Sequence, residues 1–430
     1  MKRYVKYKDS GIPWIGEVPE GWKICPFFAI FTPISITGKS VEELLSVYLD
    51  VGVVRFSEKR EKRANATSAD MSKYQYVDIG DFVLNNQQAW RGSVGISQYK
   101  GIVSPAYLVM KTSKQINSSF ANYLVRSPAC VYAYFLSSRG VGSIQRNIYW
   151  DELKRYKMVF PPLDEQREIV EYLDSVVAKI DGYIAEKEAE IEKLGLLKQS
   201  VIAHAVTKGI NPNAKMKDSG IPWIGEVPEH WLQLRGKNIF TRMARVVEAD
   251  DEVITCFRDG QVTLRKNRRT DGFTESFKEI GYQGIRPGDL VIHQMDAFAG
   301  AIGVSDSKGK GTPVYICLQP KGEQSNFYYA YLLREMARTG YIKSLYRGIR
   351  ERSSDFRYET FGKLLLPIPP ADEQRAIVEF IDRKVKEIDG FISAVREQIE
   401  KLKLYKQRLI SDVVTGKIKV CKDTLAEEVI

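Results

Sequence analysis

The sequence predicts an α+β protein built from two copies of one unit, each an α/β domain followed by a long helix. The stretch KDSGIPWIGEVPE occurs at residues 8–20 and again at 217–229. Matching then continues at an offset of 208, so that Gly80-Asp81 corresponds to Gly288-Asp289 and Arg139-Gly140 to Arg347-Gly348. An apolar pattern of helical period ends each copy. The chain therefore contains a pseudo-two-fold internal repeat, and not the array of three or more short repeats that a solenoid needs.

The front part of each copy mixes short apolar runs with Gly, Pro and Asp. Runs such as GDFVLNNQ and GIVSPAYLVM predict strands between turns, and helices are expected over 120–136 and 327–345. The predicted boundaries are a first domain over 1–160 with the repeated motif at 8–22, a central helix over 161–210, a second domain over 211–368 with the motif at 217–231, a C-terminal helix over 369–420, and a tail over 421–430.

Each long helix is expected to start after a Pro-Pro pair, with Asp164 as the N-cap in the first copy. Its apolar residues recur in steps of four and three, with Tyr183 and Phe391 among them, which predicts a coiled-coil seam. Each helix is expected to pair with its counterpart in an antiparallel coiled coil. Gly209 and Gly416 are expected to end the helices.

Composition restricts the partners and the compartment. The formal charge of +10 and the pI near 9.1 favour a polyanionic partner. No apolar run is long enough to span a membrane, and no signal peptide is recognisable. The five cysteines form no C-x-x-C pair, which fits a reduced cytoplasm and predicts neither a zinc site nor a disulfide framework.

No catalytic constellation is recognisable in the sequence. The chain has three histidines, no phosphate-binding loop and no dinucleotide fingerprint. Asp151-Glu152-Leu153-Lys154 resembles a nuclease fragment, but the second copy has Glu359-Thr360-Phe361-Gly362 at the same place. The sequence therefore predicts a protein that is not an enzyme.

One turn changes its content while its surroundings stay constant, and it supplies the first set of candidate DNA contacts. Asn and Gln side chains can pair with adenine edges and Arg with guanine edges, so different contents would read different sequences. An ordinary polar turn is the alternative interpretation. The candidates are Asn85, Asn86, Gln87, Gln88, Trp90 and Arg91 in the first copy, and His293, Gln294 and Asp296 in the second.

Basic clusters accompany this turn in both copies. Arg139 and its counterpart Arg347 are predicted to contact phosphates, with base contacts from their divergent neighbours. A solvated charged surface is the alternative. The remaining candidates are Lys59, Arg60, Gln145, Arg146 and Asn147 in the first copy, and Arg265, Arg268, Arg269, Arg350 and Arg352 in the second.

The segments PPLDEQREIV (161–170) and PPADEQRAIV (369–378), each opening a long helix, and the doubled SGIPWIGEVPExW motif resemble the specificity subunit of type I restriction–modification enzymes. The resemblance covers essentially the whole chain. It implies two target-recognition domains that each read half of a bipartite DNA site, with the helices as a spacer.

The same resemblance implies that the chain has no activity of its own. Two modification subunits would methylate adenine N6, and restriction subunits would translocate and cleave DNA. S-adenosylmethionine, ATP and Mg²⁺ are therefore expected on these partners, with no cofactor or metal in this chain. A coiled-coil scaffold that does not bind DNA and a self-contained DNA methyltransferase remain as alternatives.

Overall fold

The computed structural model describes residues 3–39, 41–49, 51–58, 70–140, 146–268, 280–345 and 356–420. The chain divides into two compact units. The first unit contains residues 1–188 and 397–430, and the second contains residues 189–396. Each unit thus holds one α/β domain, the start of the helix that follows that domain, and the end of the other long helix.

The first unit consists of short strands, three short helices and parts of two long ones. Its strands are β1 (Tyr7–Asp9), β2 (Glu17–Pro19), β3 (Lys23–Pro26), β4 (Phe31–Ile34), β5 (Leu45–Tyr48), β6 (Gly52–Arg55), β7 (Gln75–Val77), β8 (Phe82–Asn85), β9 (Val94–Ile96), β10 (Gly101–Val103), β11 (Tyr107–Thr112), β12 (Ser138–Arg139), β13 (Asn147–Ile148) and β14 (Lys157–Phe160). Its helices are α1 (Ser118–Arg126), α2 (Pro128–Leu136), α3 (Trp150–Leu153) and the first part of α4 (Leu163–Lys208).

A four-stranded antiparallel sheet in the order β4-β11-β8-β9 forms the centre of the first domain. Val83 and Val109 face each other across β8 and β11, and both are buried. They pack with Val47 and Val53 of the β5–β6 hairpin in one core cluster. Burial of these β-branched side chains fixes the register, because a slip of one residue would turn them toward solvent.

The second unit repeats this arrangement. Its strands are β15 (Met216–Ile221), β16 (Gly225–Pro228), β17 (Leu232–Arg235), β18 (Phe240–Met243), β19 (Ile254–Cys256), β20 (Val262–Leu264), β21 (Gln283–Ile285), β22 (Leu290–His293), β23 (Ile302–Val304), β24 (Gly309–Gly311), β25 (Tyr315–Pro320) and β26 (Leu365–Ile368). Its helices are α5 (Gly236–Ile239), α6 (Asn326–Arg338), α7 (Tyr341–Ser344), α8 (Tyr358–Lys363) and the first part of α9 (Ala371–Val414). The sheet order β18-β25-β22-β23 corresponds to that of the first domain.

The predicted helix over 120–136 is interrupted in the structure. Ser127 adopts an extended conformation before Pro128, which has no main-chain N–H to continue the helix. In the second unit the break falls at Gly340, whose φ of +79° is outside the helical region. Each predicted helix is therefore two shorter ones.

The two long helices run antiparallel within each unit. In the first unit, Nζ of Lys406 lies 2.5 Å from Oδ1 of Asp181. Trp22 donates from Nε1 to Glu165 at the start of α4, and the same ring lies beside Gly416 just after α9 ends. The start of one helix therefore faces the end of the other.

The second unit shows the same arrangement with the roles of the helices exchanged. Lys198 of α4 pairs with Asp389 of α9 at 2.7 Å. Gly209, just after α4, lies against Trp231 and against Glu373 at the start of α9. The predicted antiparallel coiled-coil packing is confirmed within each unit, and Gly209 and Gly416 end the helices at φ values of +75° and +78°.

Two details of the helix prediction are wrong. Helix α4 begins at Leu163, so Asp164 lies within the first turn and pairs with Arg167 instead of acting as the N-cap. Tyr183 and Phe391 are exposed and lie off the seam. Buried Ile184, four residues after buried Ile180, takes the place in the seam that was predicted for Tyr183.

Candidate nucleic-acid interface

The variable turn has the same backbone frame in both domains. It follows β8 in the first unit and β22 in the second, and it ends at Gly92 and Gly300, which have φ values of +102° and +89°. The main-chain N–H of Asn85 donates to Ser93, and that of His293 donates to Ala301. The frame is therefore set by the main chain, which leaves the side chains open to change.

The first residue of this turn has one structural role in both domains. Oδ1 of Asn85 accepts the main-chain N–H of Gln87 at 3.1 Å, and Nδ1 of His293 accepts that of Asp296 at 3.2 Å. Burial lowers the pKa of His293, and this keeps the accepting nitrogen unprotonated. A polar acceptor is thus required at this position by the turn itself.

Other predicted contact residues in the first turn are also held by hydrogen bonds. Oδ1 of Asn86 accepts the N–H of Ile148 at 2.9 Å, which joins the turn to the β12–β13 hairpin. Trp90 donates from Nε1 to the carbonyl of Gln87, whose side chain is exposed. Gln88 is half-buried and Arg91 is exposed.

The β12–β13 hairpin brings a second group of predicted residues beside this turn. Arg139 forms an ion pair with Glu152. Arg146 donates to the hydroxyl and the carbonyl oxygen of Ser138, at 3.0 and 2.8 Å. Asn147 is exposed. The structure thus unites the turn and hairpin candidates of the first domain on one surface.

In the second domain, ion pairs hold two of the candidates, Asp296 and Arg268. Arg258 donates to Asp296 at 2.9 Å, and Arg268 donates to the neighbouring Asp259 at 2.7 Å. Gln294 accepts the N–H of Phe356 at its main-chain oxygen and donates from its side chain to Pro313. Arg265 extends toward the hydroxyl of Thr255. Arg258 of the β19–β20 hairpin therefore reaches the turn, whereas Arg268 pairs with Asp259 of the hairpin itself.

Some candidates cannot be placed. Lys59, Arg60, Gln145, Arg269, Arg347, Arg350 and Arg352 lie outside the described residues.

The repeated Gly-Asp pair next to the turn is a buried structural feature. Asp289 is fully buried and accepts both Nη atoms of Arg245, the nearer at 2.5 Å. In the first domain, buried Asp81 pairs with Lys111 at 2.8 Å, and this hydrogen bond raises the pKa of the lysine. Both copies keep the Asp, but its cationic partner lies in β11 in the first domain and just after β18 in the second. For this reason only Gly-Asp was visible as a repeat in the sequence.

The Asp-Glu-Gln-Arg repeat has a structural role that was not predicted from the sequence. Gln166 is fully buried, accepts the N–H of Asn117 at 2.6 Å and donates to the carbonyl of Pro161 at 2.8 Å. Gln374 makes the equivalent bonds to Ser325 and Pro369. Because the motif occurs twice with an uncharged Gln between charged residues, the signal was present in the sequence.

The tryptophan of the thirteen-residue repeat packs against its own domain. Trp14 donates from Nε1 to the carbonyl of Ala129 and meets Tyr132 edge-on at 5.1 Å. Trp223 packs beside Tyr341. The contacts with the adjoining helix ends are made by Trp22 and Trp231, which follow the repeat and are almost fully buried.

Among the described residues, the charged and thiol groups that could suggest an active centre are held in ion pairs or buried. Glu152 of the nuclease-like fragment binds Arg139, and Asp151 binds Lys154 at 2.5 Å. Burial raises the pKa of the Cys130 and Cys317 thiols to about 12, which keeps them protonated near neutral pH. The acidic group Glu248, Asp250 and Asp251 is neutralised by Arg286 and Lys308.

Comparison with known proteins agrees with this description. Residues 43–193 match the family described as the type I restriction modification DNA specificity domain. The MjaX type I restriction enzyme specificity subunit of Methanocaldococcus jannaschii is 24% identical, over 94% of this chain and 96% of that protein. The EcoKI specificity subunit of Escherichia coli is 24% identical, over 67% of this chain and 64% of that protein.

A solved structure shares the fold. A chain from work on the complex assembly and conformational transition of a type I R-M system has a TM-score of 0.64 at 15% identity, and the match covers 93% of this chain and 99% of that one.

The two domains repeat one sheet order, and each unit pairs the two long helices. Residues 43–193 match the family of type I restriction modification DNA specificity domains, and most of the chain is similar to specificity subunits of type I restriction enzymes. Within the part of the chain that the structure covers, no helix is long and apolar enough to cross a membrane.

Proposed function

We propose that this subunit reads a bipartite duplex DNA target, with one domain for each half and the long helices as the spacer. The observation that supports this most directly is the variable turn. Two domains hold it in the same main-chain frame, closed at Gly92 and Gly300, and fill it with different polar side chains. Constant geometry with variable content is what two readers of different sequences need.

The exposure and hydrogen bonds of the side chains indicate which of them would contact DNA and which support the turn. Gln87 and Arg91 are exposed on the first turn and would reach base edges, whereas Asn85 and Asn86 use their oxygens to shape the turn. Exposed Arg139 beside the turn would contact phosphate. The net charge of +10 would draw the chain to DNA and make the affinity depend on salt.

We propose that exposed apolar residues on the long helices bind the modification subunits. In the first unit these residues are Tyr183, Leu404 and Tyr405, and in the second unit they are Leu196, Leu197 and Phe391. We call these sets the first and second helix patches. The 208-residue offset relates Leu196 and Leu197 to Leu404 and Tyr405, so each unit offers an equivalent surface, and two equivalent surfaces suit two copies of one partner.

The remaining parts of the proposal concern those partners. The modification subunits would bind S-adenosylmethionine and methylate adenine N6, and the restriction subunits would use ATP and Mg²⁺. This chain would bind none of these cofactors. The complex would act in the cytoplasm, where it meets cellular DNA.

A domain exchange tests the proposal. Residues 23–160 are replaced by the matching segment of a relative, and methylated adenines are mapped across a genome in cells that contain the modification subunit. One half of the target should change while the other persists. A change in both halves or in neither would show that the domains do not read separate half-sites.

Two further outcomes would favour the alternatives. Methylation of DNA by the purified chain alone would identify a self-contained methyltransferase. A scaffold without DNA binding would show no affinity for duplex DNA that weakens with salt.

A further inference from the structure

The first domain exposes a group of aromatic rings beside the variable turn. We call it the aromatic–arginine surface, and it consists of Trp90, Tyr132, Phe135, Tyr149, Arg139 and Arg146. Tyr132 is 46% exposed, Phe135 38% and Tyr149 48%. Tyr132 and Phe135 are stacked with an interplanar angle of 20° and ring centroids 6.3 Å apart, and Trp90 lies 6.5 Å from Phe135. Several exposed apolar side chains that lie together often mark a binding site on a protein surface.

Guanidinium groups cover part of these rings. Cζ of Arg146 lies 4.5 Å from the centroid of Phe135, and Cζ of Arg139 lies 5.3 Å from that of Tyr149. Rings interleaved with cations favour a ligand that has both flat faces and negative charge. Nucleic acid has both.

The surface is held in place before any ligand arrives. Arg146 is fixed by two hydrogen bonds to Ser138, and Arg139 by its ion pair with Glu152. Tyr132 packs edge-on against Trp14, whose indole N–H donates to a main-chain carbonyl. Side chains that are already ordered lose little entropy on binding.

Among the described residues of the second domain, only one of the four rings has an aromatic counterpart, with Phe298 in place of Trp90. At the 208-residue offset, Gly340 stands in place of Tyr132, Lys343 in place of Phe135 and Arg357 in place of Tyr149. The fold therefore does not require the rings. The helix patches recur in both units, as a shared partner needs, whereas the rings of Tyr132, Phe135 and Tyr149 have no aromatic counterpart at that offset, as expected of a feature that serves one target half-site.

We infer that the aromatic–arginine surface stacks an unpaired nucleobase, with Arg139 and Arg146 near the adjoining phosphates. The inference rests on the proposed DNA-reading function. Bases inside an intact duplex offer only their edges, so a ring face can receive only a base that has left the stack. The base can come from a free single strand or be displaced from the duplex.

The test uses the full-length chain and three fluorescent probes at one salt concentration. The probes are a single strand of about a dozen thymidines, a duplex with one unpaired thymine, and the same duplex fully paired. We expect the bulged duplex or the single strand to bind more tightly than the paired duplex. The Tyr132→Ala/Tyr149→Ala variant should lose about tenfold or more of that affinity and leave paired-duplex binding unchanged.

Two controls accompany the variant. Phe28→Ala removes a ring that is 55% exposed elsewhere in the same unit and should change no affinity. Tyr132→Phe/Tyr149→Phe keeps both rings and should bind like the unmodified chain. A loss in that variant would mean that the hydroxyl groups, and not stacking, mediate binding, and would overturn the inference.

The outcomes separate this inference from the proposed function. Salt-dependent binding of the paired duplex with no preference for either unpaired probe would overturn the inference alone. Absence of all duplex binding would contradict the proposed function. If the alanine variant bound every probe normally but lost a modification subunit during purification, the surface would be a protein interface and the inference would be wrong.

Discussion

The side-chain oxygen of Gln166 accepts the main-chain N–H of Asn117 at 2.6 Å, which ties the first turn of a long helix to the first residue before helix α1 of its own domain. Gln374 forms the same link to Ser325 at 2.8 Å. Both glutamines are fully buried. The repeated Asp-Glu-Gln-Arg segment is thus a joint between a domain and the helix that follows it.

Replacement of Gln166 in this joint should lower the stability of the fold. Gln166→Ala removes the partner of the Asn117 N–H and of the Pro161 carbonyl, so the free energy of unfolding should fall by about 2–4 kcal/mol. Urea denaturation measures the change. Arg167→Ala removes only an exposed pair with Asp164 and should cost less than about 1 kcal/mol. If Gln166→Ala lowered the free energy of unfolding no more than Arg167→Ala does, the joint would contribute nothing to stability.

The buried ion pair of the second domain gives a second prediction. Arg245→Met leaves the Asp289 carboxylate buried without its guanidinium, so the second unit should lose about 3–5 kcal/mol of stability. Chemical denaturation, followed by fluorescence of the tryptophans, measures this loss. Asp250→Asn changes an exposed carboxylate that pairs with Lys308 and should have little effect. A small effect of Arg245→Met would contradict the assigned role of the pair.

Replacement of glycine by alanine should lower stability just after a long helix and raise it within one. Gly416→Ala forces a side chain into the left-handed region and places its Cβ against Cδ of Pro19, so it should destabilise the first unit by more than about 1 kcal/mol. Gly182→Ala lies within α4 with open space around it and should stabilise the helix by about 0.5–1 kcal/mol. Differential scanning calorimetry compares the two, and destabilisation by Gly182→Ala would refute the assignment.

Acid should weaken the second domain through His293. Burial lowers the pKa of this residue below its usual 6.5, while Asp296 opposes that shift, so the unfolded chain takes up the proton first. Stability should therefore fall as pH decreases from about 6.5 toward the folded-state pKa. His293→Asn, which supplies the acceptor found at Asn85, should remove this part of the pH dependence. Urea midpoints at pH 7.5 and 5.5 provide the test, and an unchanged pH dependence would exclude His293 as the cause.

The helix patches should determine how many modification subunits bind. Leu404→Asp charges the first patch and Leu196→Asp the second, so each variant should retain one modification subunit and the double variant none. Light scattering of the purified complexes measures the stoichiometry. Val246→Asp changes an exposed apolar residue outside both patches and should retain two subunits. Retention of both subunits by the double variant would place the interface elsewhere.

The sequence was most informative where the same residues occur twice. The doubled motif and the helical periodicity predicted two α/β domains, the long helices and the glycines that end them, because period and turn chemistry are local properties of the chain. The resemblance to the family was visible in Asp-Glu-Gln-Arg before the contacts of Gln166 were known. The seam was less predictable, because steps of three and four allow both Tyr183 and Ile184, and only packing against the other helix selects Ile184.

The site depended more heavily on tertiary structure. Sequence divergence located the variable turn, but it could not show that Asn85 and His293 both close that turn, because their bonds depend on the backbone path after the strand. Nor could it show that Tyr132 and Tyr149, which lie 17 positions apart in the sequence, belong to one exposed surface. The sequence by itself determined the repeat, the long helices and the resemblance to the family, because these depend on local pattern. Tertiary structure decided which polar groups support the fold and which remain available to a ligand, because burial and hydrogen bonding are set by residues distant in the chain.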